Sequence, residues 1–222
     1  LSTFRNTKLY DLAAASPLIV FNAFAIAGVL ILLTRSLGGH FTPHGPAEIL
    51  NLLSFGGVMA FLLLQTVFLV IRKLPQQFSQ SLLSQAVALT ASNGGFVLLL
   101  LPHVALSPTV QIVSSLLILT GASASALVMI WLGKGFSILP QARQLTMHGP
   151  YRFVRHPLYL CETITTLGLM LQYRQPWSIL LALLVTAIQF PRMMYEERVL
   201  ESVYPDYRLY ASRTALFLPK IL

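Results

Sequence analysis

A chain of 222 residues with 55% hydrophobic and 10% charged residues and a formal net charge of +8 spends too few charges to be an ordinary water-soluble domain, in which about a quarter of the residues are charged. The basic residues flank long apolar stretches, where they meet anionic headgroups, and no separate polar module is left to carry a nucleic-acid site. Nucleic acid is therefore excluded as a partner, and the bilayer is the expected one.

The apolar stretches come in blocks. Pro17 to Thr34 is the first, closed by Arg35, and Leu50 to Ile71 is the second, closed by Arg72 and Lys73. Leu82 to Leu101 is the third and Val110 to Leu132 the fourth. Each has about the 20 residues that a helix needs to span a hydrocarbon core, and none shows the polar face of a soluble bundle helix. Two shorter blocks follow. Leu158 to Leu171 contains Glu162, Thr163, Thr165 and Thr166, and Trp177 to Phe190 runs into Pro191 and Arg192. Joined by Tyr173–Arg174–Gln175–Pro176, they read as a tilted or partly submerged helical hairpin. The expected fold is an all-α polytopic membrane bundle of about five to six membrane segments. It forms one domain over 1–222, with the N-terminal spans in 1–132 and the polar, motif-bearing region in 133–222. Ala13 to Ser16 has small-residue cleavage chemistry but precedes the first apolar block, so no removable leader is expected. The single cysteine, Cys161, excludes an intramolecular disulfide.

Charge fixes the expected orientation. With an inner N-terminus and six alternating segments, thirteen basic residues fall inside: Arg5, Lys8, Arg72, Lys73, Lys134, Arg143, Arg152, Arg155, Arg192, Arg198, Arg208, Arg213 and Lys220. Two, Arg35 and Arg174, fall outside. The bias predicts that both termini and the polar loops face the cytoplasm.

Polar chemistry concentrates in the last third. His40, His44 and His103 are too dispersed for a metal site, and no metal is expected. In Arg155–His156–Pro157 the proline suits the first turn of a helix. The pair before it reads as a basic interface cap, or as a helix entrance whose exposed N–H groups dock an anion. Arg192 and Glu196 share a helix face at i, i+4, either as a surface ion pair or as two walls of a cleft. Tyr204, Tyr207 and Tyr210, interleaved with Asp206 and Arg208, read as an amphipathic interfacial helix. Glu162 is costly in so apolar a helix without a partner, which favours a pocket role.

Taken together, Gly149–Pro150–Tyr151, Arg155–His156–Pro157–Leu158–Tyr159, Glu196–Glu197–Arg198–Val199–Leu200 and Tyr207–Arg208–Leu209–Tyr210 resemble the isoprenylcysteine carboxyl methyltransferase family. That family lies in a wider membrane superfamily with the phospholipid N-methyltransferases. The resemblance covers roughly residues 130 to 219. It implies S-adenosylmethionine as cofactor, leaving as S-adenosylhomocysteine, in a cytoplasmic pocket closed by the hairpin and the C-terminal segment. It places Leu145, Tyr151, His156, Pro157 and Tyr159 around the cofactor, with Arg143 and Gln141 as further neighbours. Glu196 contacts the cofactor from the opposite wall, and Arg192 faces the methyl acceptor with Glu162 beside it. Arg192 and Glu196 are thus the catalytic pair. Cys161 departs from the small residue, often glycine, usual at its position; it reads as a packed apolar side chain rather than a nucleophile.

The implied activity is methylation of a lipid-like or prenylated acceptor. A carboxylate acceptor is already a nucleophile and can be positioned by Arg192, whereas an amine or thiol needs a base, for which Glu162, Glu197 and His148 are candidates. The alternatives are a phospholipid amine N-methyltransferase and a non-catalytic membrane protein that retains the fold. The oligomeric state is left open.

Overall fold

The computed structural model describes residues 7–37, 45–79, 81–94, 97–98 and 101–218, without the side chains of Ser36 and Asn93. Arg5, His40, His44 and Lys220 lie outside them. The helices are α1 (Lys8–Leu37), α2 (Pro46–Ile71), α3 (Leu82–Asn93), α4 (Pro108–Leu132), α5 (Pro157–Met170), α6 (Trp177–Val203) and α7 (Tyr207–Arg213). The chain is an all-α membrane bundle, in which α1, α2, α4 (extended to Gly135) and α6 are long and apolar enough to cross a bilayer. Large apolar side chains such as Phe24, Leu63, Leu127 and Leu183 stay exposed on these helices, as lipid-facing positions require.

Local sequence explains the helix starts. Ser107 caps α4 by accepting from the Val110 N–H, with Pro108 in the first turn. Ser81 caps α3 through the Ser84 N–H. Each cap satisfies one of the N–H groups a helix start leaves orphaned.

One expectation needs correcting. The third apolar block is not one long helix: α3 ends at Asn93 after 12 residues, where Asn93 and Gly94 bring weak helix propensity. The block at Trp177 continues past Pro191, in keeping with the helix face shared by Arg192 and Glu196. Helix α6 runs on for 27 residues to Val203 with Pro191 inside it, a lesion that helices packed in a membrane bundle tolerate. Arg192, Glu196 and Glu197 therefore ride on a rigid helix about 40 Å long.

Helix α4 is central, packed on α2 and on α5, while α6 packs chiefly on α3. The α4–α5 crossing is close because glycines stand at it. A Cβ on Gly121 would lie 2.6 Å from the Thr165 nitrogen and 2.9 Å from the Cys161 carbonyl oxygen. The Ser114 hydroxyl donates to the Gly168 carbonyl at 2.9 Å across the same seam. Small residues that let backbones approach are how helices associate where lipid removes the hydrophobic drive. Gly121→Ala is accordingly expected to lower stability by about 1–3 kcal/mol; thermal unfolding in detergent, with the parent alongside, measures it.

Ladders and bridges mark two ends of the bundle. At one, Val104 N–H donates to the Gln172 carbonyl and Arg174 N–H to the Pro102 carbonyl. At the other, a two-residue strand β1 (Gln77–Phe78) pairs antiparallel with β2 (Gln141–Ala142), and Lys73 N–H donates to the Lys134 carbonyl. The second end gathers Lys8, Arg72, Lys134, Arg143, Arg155 and the last turns of α6.

Candidate functional site

The site is built from the loop between α4 and α5. Gly133 begins it at φ 54 and ends α4. Gly149 opens the Gly149–Arg152 turn at φ 62, where a Cβ would come within 2.6 Å of the Trp131 ring. Only glycine meets both demands, which explains the first residue of Gly149–Pro150–Tyr151. Tyr151 then turns into the core beside Met129, Phe136, Leu158 and Cys161.

The C-terminal segment fastens this loop from outside. Arg155 and His156 donate their N–H groups to the Ala215 and Leu216 carbonyls at 2.8 and 3.2 Å. The Tyr210 hydroxyl donates to the Tyr151 carbonyl at 2.6 Å. Tyr207 is buried and Tyr204 lies before α7 rather than in it, so the three tyrosines are not a common interfacial face. Burial pushes the Tyr210 phenol up to about 12. Burial, with the Glu197 carboxylate alongside, raises the Tyr207 phenol too. At neutral pH both stay protonated and act as hydrogen-bond donors, not bases.

Helix α5 starts at Pro157, as its proline predicts. His156, 6% exposed, stands at the entrance with its ring stacked on Tyr159 at 5.4 Å. Its Nε2 lies 3.3 Å from Glu197, which also accepts from Arg155 at 3.2 Å. From α6, the Arg192 guanidinium also lies over the Tyr159 ring, 4.4 Å from its centroid. The Tyr159 hydroxyl donates to Glu196, and Arg192 Nε approaches the same carboxylate at 3.4 Å. The Arg192 side chain is 4% exposed, yet its Nε has no hydrogen-bond partner and its Nη2 reaches the Ile138 carbonyl at 3.4 Å. A buried guanidinium with spare donors costs free energy unless something fills them.

These elements line an open cleft with about 730 Å³ of space between its walls, solvent at the mouth included. Leu132, Leu139, Leu145, Leu158 and Leu200 give it apolar walls. Gln141, Gln144, Tyr151, Arg155, His156, Tyr159, Glu196, Tyr207 and Tyr210 supply polar groups. The mixture suits a ligand with an apolar ring system and a charged end.

Residues 103–207 match the family model for phospholipid methyltransferase. This stretch is similar to a phospholipid methyltransferase domain. It covers just under half of the chain and contains all the motif residues except the end of Tyr207–Arg208–Leu209–Tyr210. It lies in the wider superfamily that the motifs pointed to. Two curated relatives also match. A cobalt-zinc-cadmium resistance protein, CzcN, of Cupriavidus metallidurans is 35% identical over 78 residues, 35% of this chain and 36% of the relative. A nickel-cobalt-cadmium resistance protein, NccN, of Alcaligenes xylosoxydans xylosoxydans is 29% identical over 82 residues, 36% of this chain and 38% of the relative. The chain thus spans little more than a third of these relatives' length.

Within the matched stretch, Leu145, Tyr151, His156, Tyr159, Glu196 and Gln141 line the cleft. Pro157 is buried behind it as the first residue of α5. Arg192 sits behind Tyr159. Glu162 lies deeper in the hairpin against the Gln189 amide. Arg143 does not line the cleft: its side chain is fully buried and bound to Asp11 on α1 at 2.5 Å. Cys161 is buried in the core cluster and away from the cleft. The close approach at its position comes from Gly121, which meets the Cys161 carbonyl and spares the thiol. His148 is exposed and edge-on to Trp131.

Sequence reasoning missed the Tyr159–Glu196 bond, Gln189 and the Asp11 cluster. Asp11 carried a signal. It is the acid in the first turn of an otherwise apolar helix, and a charge there needs a partner.

Proposed function

We propose that this chain is an integral membrane S-adenosylmethionine-dependent methyltransferase acting on a lipid-like acceptor, a carboxylate on an apolar tail as in isoprenylcysteine carboxyl methylation. The observation that carries the reading is the buried Arg192, whose Nε meets Glu196 only at ion-pair distance and makes no hydrogen bond, beside a cleft of mixed apolar and polar lining. A carboxylate docked on that fork by paired charge-assisted hydrogen bonds would satisfy it. It would also sit next to Tyr159 and Glu196, at the border between cleft and hairpin.

The bound cofactor supplies a methyl group on a positively charged sulfur. Leu145, Leu158 and Leu200 give its ring system an apolar bed and shed water. His156 and Gln141 offer hydrogen-bonding atoms, and Glu196 sets a carboxylate against its cationic end. A carboxylate held by Arg192 is already a nucleophile, so the protein's task is alignment and exclusion of water. The candidate bases agree with this. Glu197 is paired with Arg155, Glu162 lies against Gln189, and His148 faces outward; none of the three lines the cleft.

A phospholipid amine is the second reading, favoured by the family match itself. The relatives' names concern metal resistance. Among the described residues no group of three or more His, Cys, Asp or Glu could hold a metal ion. The cleft end carries the bulk of the basic residues, which supports a cytoplasmic site with both termini on that side.

The purified protein in detergent is expected to bind S-adenosylmethionine in a calorimetric titration. It should transfer labelled methyl to a prenylated cysteine carboxylate, giving a base-labile ester. Label on phosphatidylethanolamine instead would replace the carboxylate reading by the amine one. A folded protein that binds no cofactor at millimolar concentration would remove the enzyme reading.

A further inference from the structure

A cluster outside the cleft reaches it from the first span. Asp11, 5% exposed, lies between two guanidiniums. Arg72 donates Nε to Asp11 Oδ2 at 2.9 Å and Nη2 to Oδ1 at 3.0 Å. Arg143 donates Nη2 to Oδ1 at 2.5 Å and Nη1 to Oδ2 at 3.3 Å. Bidentate pairing of this kind fixes the plane of the guanidinium. The other edge of Arg143 points at the cleft wall: Nε and Nη2 lie 3.1 and 2.6 Å from Gln141 Oε1. The Ser137 hydroxyl lies 2.9 Å from the same oxygen.

That arrangement decides which way the Gln141 amide faces. Its carbonyl oxygen already accepts from Arg143, and a flipped amide would set N–H donors against N–H donors. Strand pairing holds its backbone, with Phe78 opposite. Gln141 and Ser137 both line the cleft. The amide nitrogen is left as an oriented donor at that wall.

We propose that Asp11 is a positioning residue for the cofactor cleft: through Arg143 it locks the Gln141 amide with its N–H donors turned to the ligand. The inference rests on the cofactor reading above and adds a part of the chain outside the matched domain. It couples the seating of the first span to ligand affinity. Arg143 Nη1 also donates to the Lys73 carbonyl, so a span that moved away from α2 and the loop would remove the bidentate hold that sets the guanidinium plane, and with it the setting of the Gln141 amide.

The test is a double-mutant cycle read by calorimetry with S-adenosylhomocysteine, which is not consumed, on the full chain in detergent. Gln141→Glu keeps an oxygen for Arg143 and loses the donor. It should keep the parent's melting temperature and bind about tenfold more weakly. Asp11→Asn should weaken binding several-fold in the parent and hardly at all in a Gln141→Ala background. A merely structural Asp11 would cost the same in both backgrounds, since effects that share no partner add. Arg143→Lys, which keeps a cation but loses the fork, takes the place of Asp11→Asn if that variant does not fold. Equal losses in the two backgrounds, or parent-like binding by Gln141→Glu, would overturn the proposal. A folded parent that fails to bind would instead sink the cofactor reading, and the relay with it.

Discussion

His156→Ala is expected to raise the dissociation constant for S-adenosylmethionine ten- to hundredfold while leaving the fold intact. The imidazole does three things in one place. It forms part of the cleft wall, it stacks on Tyr159 at 5.4 Å, and its Nε2 engages Glu197 at 3.3 Å. With Nε2 held there, Nδ1 is the ring atom left for a ligand. Truncation removes one hydrogen bond, about 1 kcal/mol, and the packing of a buried ring, which together with loss of Tyr159 orientation gives the stated range. Stability should suffer less, because the backbone at His156 is held independently by the Leu216 carbonyl and Glu197 keeps Arg155 as a partner. Isothermal titration measures the affinity, and thermal unfolding checks the fold. Parent-like affinity in a folded variant would take His156 out of the site.

The membrane class was legible from the apolar blocks, because a lipid-exposed helix writes its whole circumference in the sequence. The helix entrance at Pro157 was legible for a local reason, since proline declares itself at a first turn. What failed was the length of segments whose ends depend on packing. The third apolar block runs on to Leu101 in the sequence, yet α3 ends at Asn93. The partner of Arg143 was out of reach as well. Asp11 lies 132 positions away, and no local period links the two. The Tyr159–Glu196 bond has the same character, joining a loop-bound helix start to the end of the hairpin's second helix. Short-range rules place residues on faces; which face meets which is set by the packing of α4 between α2 and α5.

Glu196→Gln and Arg192→Ala are expected to fail in different assays. Both side chains stand on one face of α6, and both touch Tyr159, but they address different spaces. Glu196 lines the cleft and accepts from the Tyr159 hydroxyl. Arg192 lies against the Tyr159 ring, buried within the hairpin, its Nε 3.4 Å from Glu196 but without a hydrogen bond. Neutralising Glu196 removes a charge-assisted bond to the cationic end of the cofactor, worth about 1.5–3 kcal/mol, so cofactor affinity should fall about tenfold or more. Truncating Arg192 should leave that affinity within a few-fold and depress turnover about a hundredfold, the usual consequence of losing the group that aligns a nucleophile. Its cost in stability is a separate readout, since Glu196 would lose a buried cation. An interfacial ion pair without function predicts neither loss, because such pairs contribute about 1 kcal/mol or less. Cofactor titrations and initial rates on both variants decide the matter. Two titrations that match the parent would remove Glu196 from the cofactor wall, and parent-like turnover of Arg192→Ala would remove the acceptor's dock.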